Sequence, residues 1–212
     1  LAQENPQLLA TVGVHPEHTE GHDPTQAELV ELALAQEVIA IGETGLDYSW
    51  HQDQPEWQRE RFRTHIRAAR ECGKPLVVHN RDATQDVLRL LREEGAEAVG
   101  GIMHCFTESW EVAQEVLALG FYISISGIVT FKNALQVKEV ARRVPLDRLL
   151  LETNSPYLAP VPYRGKLNQP GYVRHVAEEV ARLRGMAVDE LVRASTENFL
   201  RLFPYSSTRL FH

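Results

Sequence analysis

The chain has 212 residues, of which 43% are hydrophobic and 24% are charged, so it can bury one large core, and we predict a single globular domain over residues 1–212. Its formal net charge of -7 argues against a protein that grips nucleic acid through a broad basic face, because neutralising phosphates requires clustered Lys and Arg. Any phosphate ligand must therefore be held locally, by a metal ion or by a few cationic side chains.

The two cysteines, Cys72 and Cys105, stand far apart and lack the spacing of a zinc ribbon or a disulfide framework, which is typical of a reducing compartment. No stretch approaches the roughly 20 apolar residues that span a bilayer, and no charged-then-apolar leader stands at the start. We therefore expect a cytoplasmic protein without membrane association or an obligate protein partner.

An apolar, strand-like run followed by a helical pattern recurs along the chain, which indicates βα units. The predicted strands are rich in Val, Ile and Leu, as is typical of parallel strands covered on both faces. They comprise residues 8–14, 38–42, 76–79, 101–105, 121–126 and 149–152.

Between these strands, apolar residues recur three and four positions apart and predict helices that cover the sheet. The helical patterns include residues 62–69, 87–91, 112–119, 172–184 and 188–202. Thr25 and Glu28 predict a capping box, and we expect Asp82 to cap the helix that follows it. Glycines stand where helices end, at Gly73, Gly95, Gly120 and Gly185.

Six parallel strands that alternate with helices permit either an open doubly wound sheet or a barrel. No Gly-x-Gly-x-x-Gly follows the first strand, which weakens the dinucleotide-binding version of the open sheet. A (β/α)₈ barrel normally needs about 250 residues, so two βα units would be lacking. Because the chain begins at Leu1 and soon enters an apolar segment, we expect the barrel to be incomplete at its N-terminus.

Potential ligands follow the predicted strands with unusual regularity, and in βα proteins the carboxyl ends of the strands carry the reactive groups. They are His15, Glu43, Asp47, His79, His104 and Asn154. A carboxylate and two imidazoles, from Glu43, His79 and His104, supply the mixed nitrogen and oxygen donors that suit Zn²⁺, Mn²⁺ or a related divalent ion. Because side chains alternate along a strand, Cys105 points away from His104 and is not expected to be a ligand.

The remaining histidines in predicted loops or helices are not expected to bind a metal ion. We interpret five further histidines, in predicted loops or helices, as solvated: His18, His22, His51, His65 and His175. Gly42 and Gly45, which flank Glu43, either permit a tight turn or let the backbone approach a ligand closely, and we favour the second interpretation.

Seven segments, in order, resemble the motif series of the TatD-like hydrolases: VGVHPE (12–17), IGETGLDY (41–48), VVHNRDA (77–83), MHCF (103–106), ISISGIVTFKNA (123–134), LLLETNSPYLAP (149–160) and PYRGKLNQP (162–170). The resemblance runs from about Leu8 to Phe203, nearly the whole chain. It implies a (β/α)₈ barrel related to the amidohydrolases. It also implies cleavage of phosphodiester bonds in DNA, often from the 3′ end, with divalent metal ions.

The resemblance also implies roles for particular side chains. Glu43 would be the catalytic carboxylate that bridges two ions, Mg²⁺, Zn²⁺ or Mn²⁺, with His79 and His104 as its partners in one metal site. Asn154 would occupy the position of a further metal ligand and catalytic group. The substrate-binding candidates, which would meet the phosphates of a DNA substrate, are His15, Arg81, Arg164 and Lys166.

The sequence departs from the family pattern at two places. The family's His-x-His on the first strand has no counterpart, as expected if two βα units are missing. The family's aspartate in its Leu-Glu-Thr-Asp-Ser-Pro motif is Asn154 here, and an amide cannot accept a proton from water. Loss of a general base costs on the order of 10²–10⁴ in rate. Glu152 has the same strand parity as Asn154, and whether it substitutes is left open.

Two alternatives to a metal-dependent deoxyribonuclease remain open from the residues alone. One is a hydrolase of the same barrel type that acts on an amide, ester or lactone, because a metal centre alone does not identify the substrate. The other is a catalytically silent homologue that binds nucleic acid without cleaving it. Either way, a barrel that lacks two strands would expose unpaired strand edges, from which we expect association or aggregation if nothing covers them.

Overall fold

The computed structural model describes residues 1–49 and 55–204, which form two compact units. The first unit comprises Leu1–Met103, Leu119–Phe121 and the described residues from Leu202 on, and the second comprises His104–Ala118 and Tyr122–Arg201. The prediction of a single domain stays a prediction. His51, interpreted above as solvated, lies outside the described residues.

The first unit alternates parallel strands with helices, as predicted. Its elements, in chain order, are β1 (Ala10–Val12), α1 (Gln26–Ala33), β2 (Val38–Asp47), α2 (Glu56–Cys72), β3 (Leu76–Arg81), α3 (Thr84–Glu93) and β4 (Gly101–Met103). The strands pair in that order, each parallel to the next. Helices pack against them through fully buried side chains that include Phe62, Ile66, Leu88 and Leu91.

The second unit contains α4 (Trp110–Ala118), β5 (Tyr122–Ile125), α5 (Leu135–Arg143), β6 (Leu149–Leu151), α6 (Val173–Arg184) and α7 (Val188–Leu202). Strands β5 and β6 are parallel, with Ile123 opposite Leu149. The sequence pattern did not predict α5. Nowhere in the described ranges is there a helix both long enough and apolar enough to cross a membrane.

Strand β2 differs most from its prediction, because it continues past Gly42 to Asp47. Ile41 pairs with Leu76 and Thr44 with Val78, so β2 has one extra residue between these pairs, and Glu43 lies in this irregularity. Such bulges bend a strand and redirect a side chain. The predicted end of the strand is therefore a bulge within a longer strand.

The glycines beside Glu43 serve strand packing. Gly42 has a φ of 152°, and a Cβ there would lie 2.5 Å from the carbonyl oxygen of Val77. Gly45 has a φ of 135°, and a Cβ there would collide with the backbone carbonyl of His79. The observed close approach is thus between β2 and β3, and the interpretation that these glycines let the backbone approach a ligand stays a prediction.

Helix ends follow the sequence signals in part. The capping box of Thr25 and Glu28 is present at the start of α1, and Gly73 ends α2 in the left-handed conformation with a φ of 65°. The expected cap by Asp82 is wrong, because Ala83 holds the N-cap position of α3 and no side chain caps it. Asp82 itself adopts a positive φ of 54°.

Side chains of α7 cover the edge of β6. Ser195 Oγ accepts a hydrogen bond from the Leu151 amide at 3.1 Å, and the Asn198 amide donates to the Leu149 carbonyl at 2.8 Å. These side chains make hydrogen bonds that a further strand would otherwise make. Within the second unit, part of the strand edge that we expected to be unpaired is therefore hydrogen-bonded.

Candidate metal centre

Three potential ligands of the first unit converge beside the carboxyl end of β3. His79 Nδ1 lies 3.1 Å from Glu43 Oε1 and 3.2 Å from His15 Nε2, and His15 Nε2 lies 3.5 Å from Glu43 Oε1. Within residues 1–49 and 55–204, this is the one group of three or more His, Cys, Asp or Glu side chains compact enough for a metal ion, with all three atoms inside 4.8 Å of one another. We call His15, Glu43, His79 and the adjoining Asp47 the β3 cluster.

The chemistry of the β3 cluster suits a divalent cation. His79 Nε2 lies 2.9 Å from Asp47 Oδ2 and donates its proton there, so in the neutral ring Nδ1 carries the lone pair. That lone pair faces the Glu43 carboxylate, another electron donor. Two electron donors that face each other in a half-buried setting repel unless a cation or a donated proton lies near both, and in this cluster His15 Nε2 lies 3.2 Å from Nδ1 and 3.5 Å from Glu43 Oε1. A carboxylate that orients a ligating imidazole is also the usual support of a metal-bound histidine.

The surroundings of His79 favour a positively charged ring. Burial by itself would lower the pKa of His79, but hydrogen bonds to Glu43 and Asp47 outweigh it, so the pKa of His79 is raised. A proton on Nδ1 and a metal ion at the same lone pair exclude each other. The cluster is thus electrostatically arranged for positive charge.

Asp47 is the fully buried support of the β3 cluster. Burial tends to raise its pKa, but hydrogen bonds from Ser49 and His79 prevail and lower it, so it is ionised. Its Oδ1 accepts from both the Ser49 amide and the Ser49 hydroxyl, while Oδ2 accepts from His79. Both carboxylate oxygens are therefore engaged. Asp47 stood among the strand-end residues of the sequence, but its role in orienting His79 became visible only in the structure.

The second unit contains a smaller cluster around His104, which we call the β6 cluster: His104, Ser124 and Glu152. Glu152 Oε2 accepts from His104 Nδ1 at 2.8 Å, from the Ser124 hydroxyl at 2.6 Å and from the Cys105 amide at 3.2 Å. With its proton on Nδ1, the neutral His104 ring carries its lone pair on Nε2. Glu152 therefore orients His104 as Asp47 orients His79.

The other predicted site residues lie as follows. Arg81, at the end of β3, is 3.9 Å from Glu17 and about half exposed. Arg164 stacks over the Phe131 ring at 4.3 Å, and the Lys166 ammonium lies 5.9 Å from the centre of Tyr163. The Asn154 backbone carbonyl accepts from the Tyr157 amide. The substrate-binding roles of these residues, and the ligand roles of His104 and Asn154, stay predictions.

Sequence reasoning misjudged His65, which is fully buried in α2 and not solvated. Its Nδ1 donates to the Arg61 carbonyl and its Nε2 accepts from the Val14 amide, so the ring is neutral. Burial is the main cause that lowers the pKa of His65 to about 4. The missed signal was spacing: Gln58, Arg61 and His65 recur on one face of a helix that also presents apolar residues.

Comparison with known proteins gives matches over nearly the whole chain. A family model described as TatD related DNase matches residues 1–204. A metal-dependent hydrolase called YcfH, of Escherichia coli strain K12, is 53% identical over 211 residues, covering 99% of this chain and 79% of the relative. A protein of Escherichia fergusonii named 3′-5′ ssDNA/RNA exonuclease TatD is 34% identical over 212 residues, covering 97% of this chain and 82% of that one.

A solved structure agrees with these relatives. The crystal structure of YJJV, a TatD homologue from Escherichia coli K12, superposes with a TM-score of 0.87 at 28% identity, covering 96% of this chain and 80% of the other. The predicted α/β, TIM-type fold class is confirmed. The absence of two βα units stays a prediction.

Proposed function

Because this chain belongs to the TatD related DNase family and is a metal-dependent hydrolase, we propose that it cleaves phosphodiester bonds of DNA from the 3′ end. One observation carries the proposal: the lone-pair nitrogen of His79 faces the Glu43 carboxylate at 3.1 Å, with Asp47 holding the ring from behind. The relative from E. fergusonii, named an exonuclease, supports the choice of substrate and polarity.

Glu43 and His79 are the proposed ligands of a divalent cation in the first unit, and His104 is a proposed metal ligand that lies in the second unit. Zn²⁺, Mn²⁺ and Mg²⁺ are the candidate metals, and the family resemblance favours two ions. A bound divalent cation would supply a water of lowered pKa and would neutralise charge on a phosphate oxygen.

The protein's own residues would orient the substrate. The contact between the Glu17 amide and His15 Nδ1, at 3.2 Å, assigns the proton of a neutral His15 ring to Nε2. His15 then presents a donor on the Glu43 side, in keeping with its predicted role in binding phosphate. Arg81, Arg164 and Lys166 are the proposed cations for further phosphate oxygens, because charge-assisted hydrogen bonds to phosphate are strong.

Asn154 limits the rate in this proposal, because a carboxamide cannot act as a general base. We therefore expect slow, metal-dependent release of nucleotides by the natural chain, and an acceleration on the order of 10²–10⁴ in Asn154→Asp. The cytoplasmic location stays a prediction from cysteine usage.

The test is a nuclease assay on single-stranded DNA labelled at either the 3′ or the 5′ end, with Mn²⁺, Mg²⁺ or Zn²⁺ and with a chelator. Asn133→Asp, on an exposed loop of the same unit, adds the same charge elsewhere and is expected to leave the rate unchanged. Intact DNA combined with metal-dependent turnover of a small ester or lactone would favour the alternative hydrolase. DNA binding without cleavage by either the natural chain or Asn154→Asp would favour the silent homologue.

A further inference from the structure

Helix α2 carries a buried polar face directly behind the β3 cluster. Gln58 and His65 are fully buried and Arg61 is nearly so, and the three are spaced three and four residues apart. Residues at this spacing lie on one side of a helix. Burying an amide, a guanidinium and an imidazole is unfavourable unless each is hydrogen-bonded, so their partners indicate their purpose.

The partners are mostly backbone groups of the segment that carries His15. Arg61 donates to the carbonyls of His15 at 3.3 Å and His18 at 2.7 Å. His65 accepts from the Val14 amide at 3.0 Å, immediately before His15. Arg61 is itself held by the Asp23 carboxylate at 2.5 Å. Two side chains of one helix therefore fix the backbone on both sides of His15.

Gln58 connects this segment with the end of β2. Its amide nitrogen donates to the Pro16 carbonyl at 3.2 Å and to the Asp47 carbonyl at 3.1 Å, and its oxygen accepts from the Asp47 amide at 3.0 Å. Both hydrogens and the oxygen are thus used on backbone atoms.

The two segments that Gln58 joins lie on opposite sides of one ring. His15 approaches His79 at Nδ1, and Asp47 approaches it at Nε2. The spacing between the segments sets where the His79 ring sits and how it is rotated. A shift of either segment would turn the Nδ1 lone pair relative to Glu43.

We propose that the polar face of α2, through Gln58 above all, positions His15, His79 and Asp47 and thereby sets the affinity of the β3 cluster for a divalent cation. Gln58 is a positioning residue, since it contacts the backbone of the cluster and none of the ligand atoms. This inference rests on the proposed metal centre and adds a support that lies outside the strand ends.

The experiment compares Gln58→Glu and Gln58→Met with the natural protein. Glutamate keeps the shape of Gln58 and can still accept from the Asp47 amide, but it cannot donate to the Pro16 and Asp47 carbonyls. Methionine keeps the volume and removes all three bonds. Binding of Mn²⁺ and of Zn²⁺ is measured by calorimetry, and the ring nitrogens of His15, His79 and His104 are observed by NMR in the metal-free protein at one pH.

We expect both variants to bind the cation 10- to 100-fold more weakly, which is the usual effect of removing support from behind a metal ligand. The ring signals of His15 and His79 should move, while those of His104, in the other unit, should not. Phe62→Leu is the matched control, because Phe62 is fully buried on the same helix and its loss lowers the melting temperature by a packing defect alone.

The proposal is overturned if the Gln58 variants lower the melting temperature as Phe62→Leu does, with unchanged cation affinity and unchanged ring signals. Should Gln58→Met not fold, Gln58→Glu decides the matter. Cation binding that is weakened by the variants in a protein that leaves DNA intact would refute the proposed substrate but support the positioning role. DNA cleavage by variants whose cation affinity is unaltered would support the proposed substrate but refute the positioning role.

Discussion

In both the β3 cluster and the β6 cluster a carboxylate orients an imidazole, but the β3 cluster also brings further potential ligands to that ring. In each, a carboxylate holds one nitrogen of an imidazole: Asp47 holds His79, and Glu152 holds His104. In the β3 cluster the other nitrogen meets a second histidine and a carboxylate within 3.2 Å. The β6 cluster supplies one oriented imidazole, and its predicted neighbour Asn154 is an amide.

The carboxylates also differ in how fully they are used. Both oxygens of Asp47 accept hydrogen bonds, whereas three donors meet at Oε2 of Glu152. Among the described residues, Oε1 of Glu152 is buried and has no hydrogen-bond partner. A buried carboxylate oxygen without a partner is costly, so its presence points to a functional or electrostatic role. The β3 cluster therefore brings three potential ligand atoms together, whereas the β6 cluster orients a single imidazole.

The largest expected effect is that of Glu43→Gln, which removes the only charged ligand candidate among the three converging atoms of the β3 cluster. We expect cation binding to this unit to be lost and hydrolysis to fall by about 10³ or more, because the metal would no longer be held. Calorimetry with Mn²⁺ and the labelled-DNA assay measure both effects. The control is Glu139→Gln on the exposed face of α5, and equal behaviour of the two variants would exclude the β3 cluster as the metal centre.

The second prediction concerns the support behind the β3 cluster. His65 has a folded-state pKa of about 4 against an ordinary 6.5, so between these pH values the unfolded chain binds a proton that the folded chain excludes. The free energy of unfolding therefore falls as the pH drops from 6.5 to 4, by about 3 kcal/mol from this group.

Urea unfolding at several pH values measures this loss in the natural protein and in His65→Gln, which does not titrate. We expect a shallower acid limb for His65→Gln, whereas Phe62→Leu should lower the whole curve evenly. An acid limb of identical steepness in the natural protein and His65→Gln would contradict the prediction.

The third prediction is that Asp47→Asn weakens cation binding 10- to 100-fold. Asparagine has one side-chain oxygen, so it cannot accept from both Ser49 and His79, and the His79 ring loses its orientation or Ser49 loses its bonds. Calorimetry measures the affinity, and the ring nitrogens of His79 report the orientation. Unchanged affinity would mean that Glu43 and His15 suffice to hold His79.

The smallest effect is expected from Glu152→Gln, with less than a tenfold loss in rate. The single oxygen of glutamine can replace Oε2 and keep the bonds from His104, Ser124 and Cys105, so only the charge is removed. The DNA assay and the His104 ring signals provide the measurement. A loss of rate as large as the 10- to 100-fold loss of cation affinity expected for Asp47→Asn would contradict the difference between the clusters. It would indicate that Oε1 of Glu152 has a charged partner of its own, such as a cation.

Much of the site could be predicted from strand ends. Glu43, His79 and His104 follow apolar runs, and parallel strands bring such ends to one edge, so we expected the three to meet; Glu43 and His79 lie 3.1 Å apart in the first unit, and the ligand roles stay predictions. The contact between the His15 and His79 rings could not be predicted from the sequence, and the predicted role of His15 in substrate binding stays a prediction. The strand boundaries were less accurate: β2 extends five residues beyond its predicted end, because a bulge at Glu43 has no reliable pattern of apolar residues.

The sequence by itself determined the alternation of strands and helices, the polar residues at the strand ends and the resemblance to a metal-dependent hydrolase family, since periodicity and ordered motifs are local properties of a chain. Only the tertiary structure decided that Asp47 and Glu152 orient imidazoles and that His65 is buried. Those roles depend on which backbone groups and side chains face one another across distances of 32, 48 and 51 residues along the chain. The sequence pattern of a helix does not show whether a polar side chain is exposed to water or hydrogen-bonded to a buried carbonyl. That depends on which backbone groups the tertiary structure places against the helix.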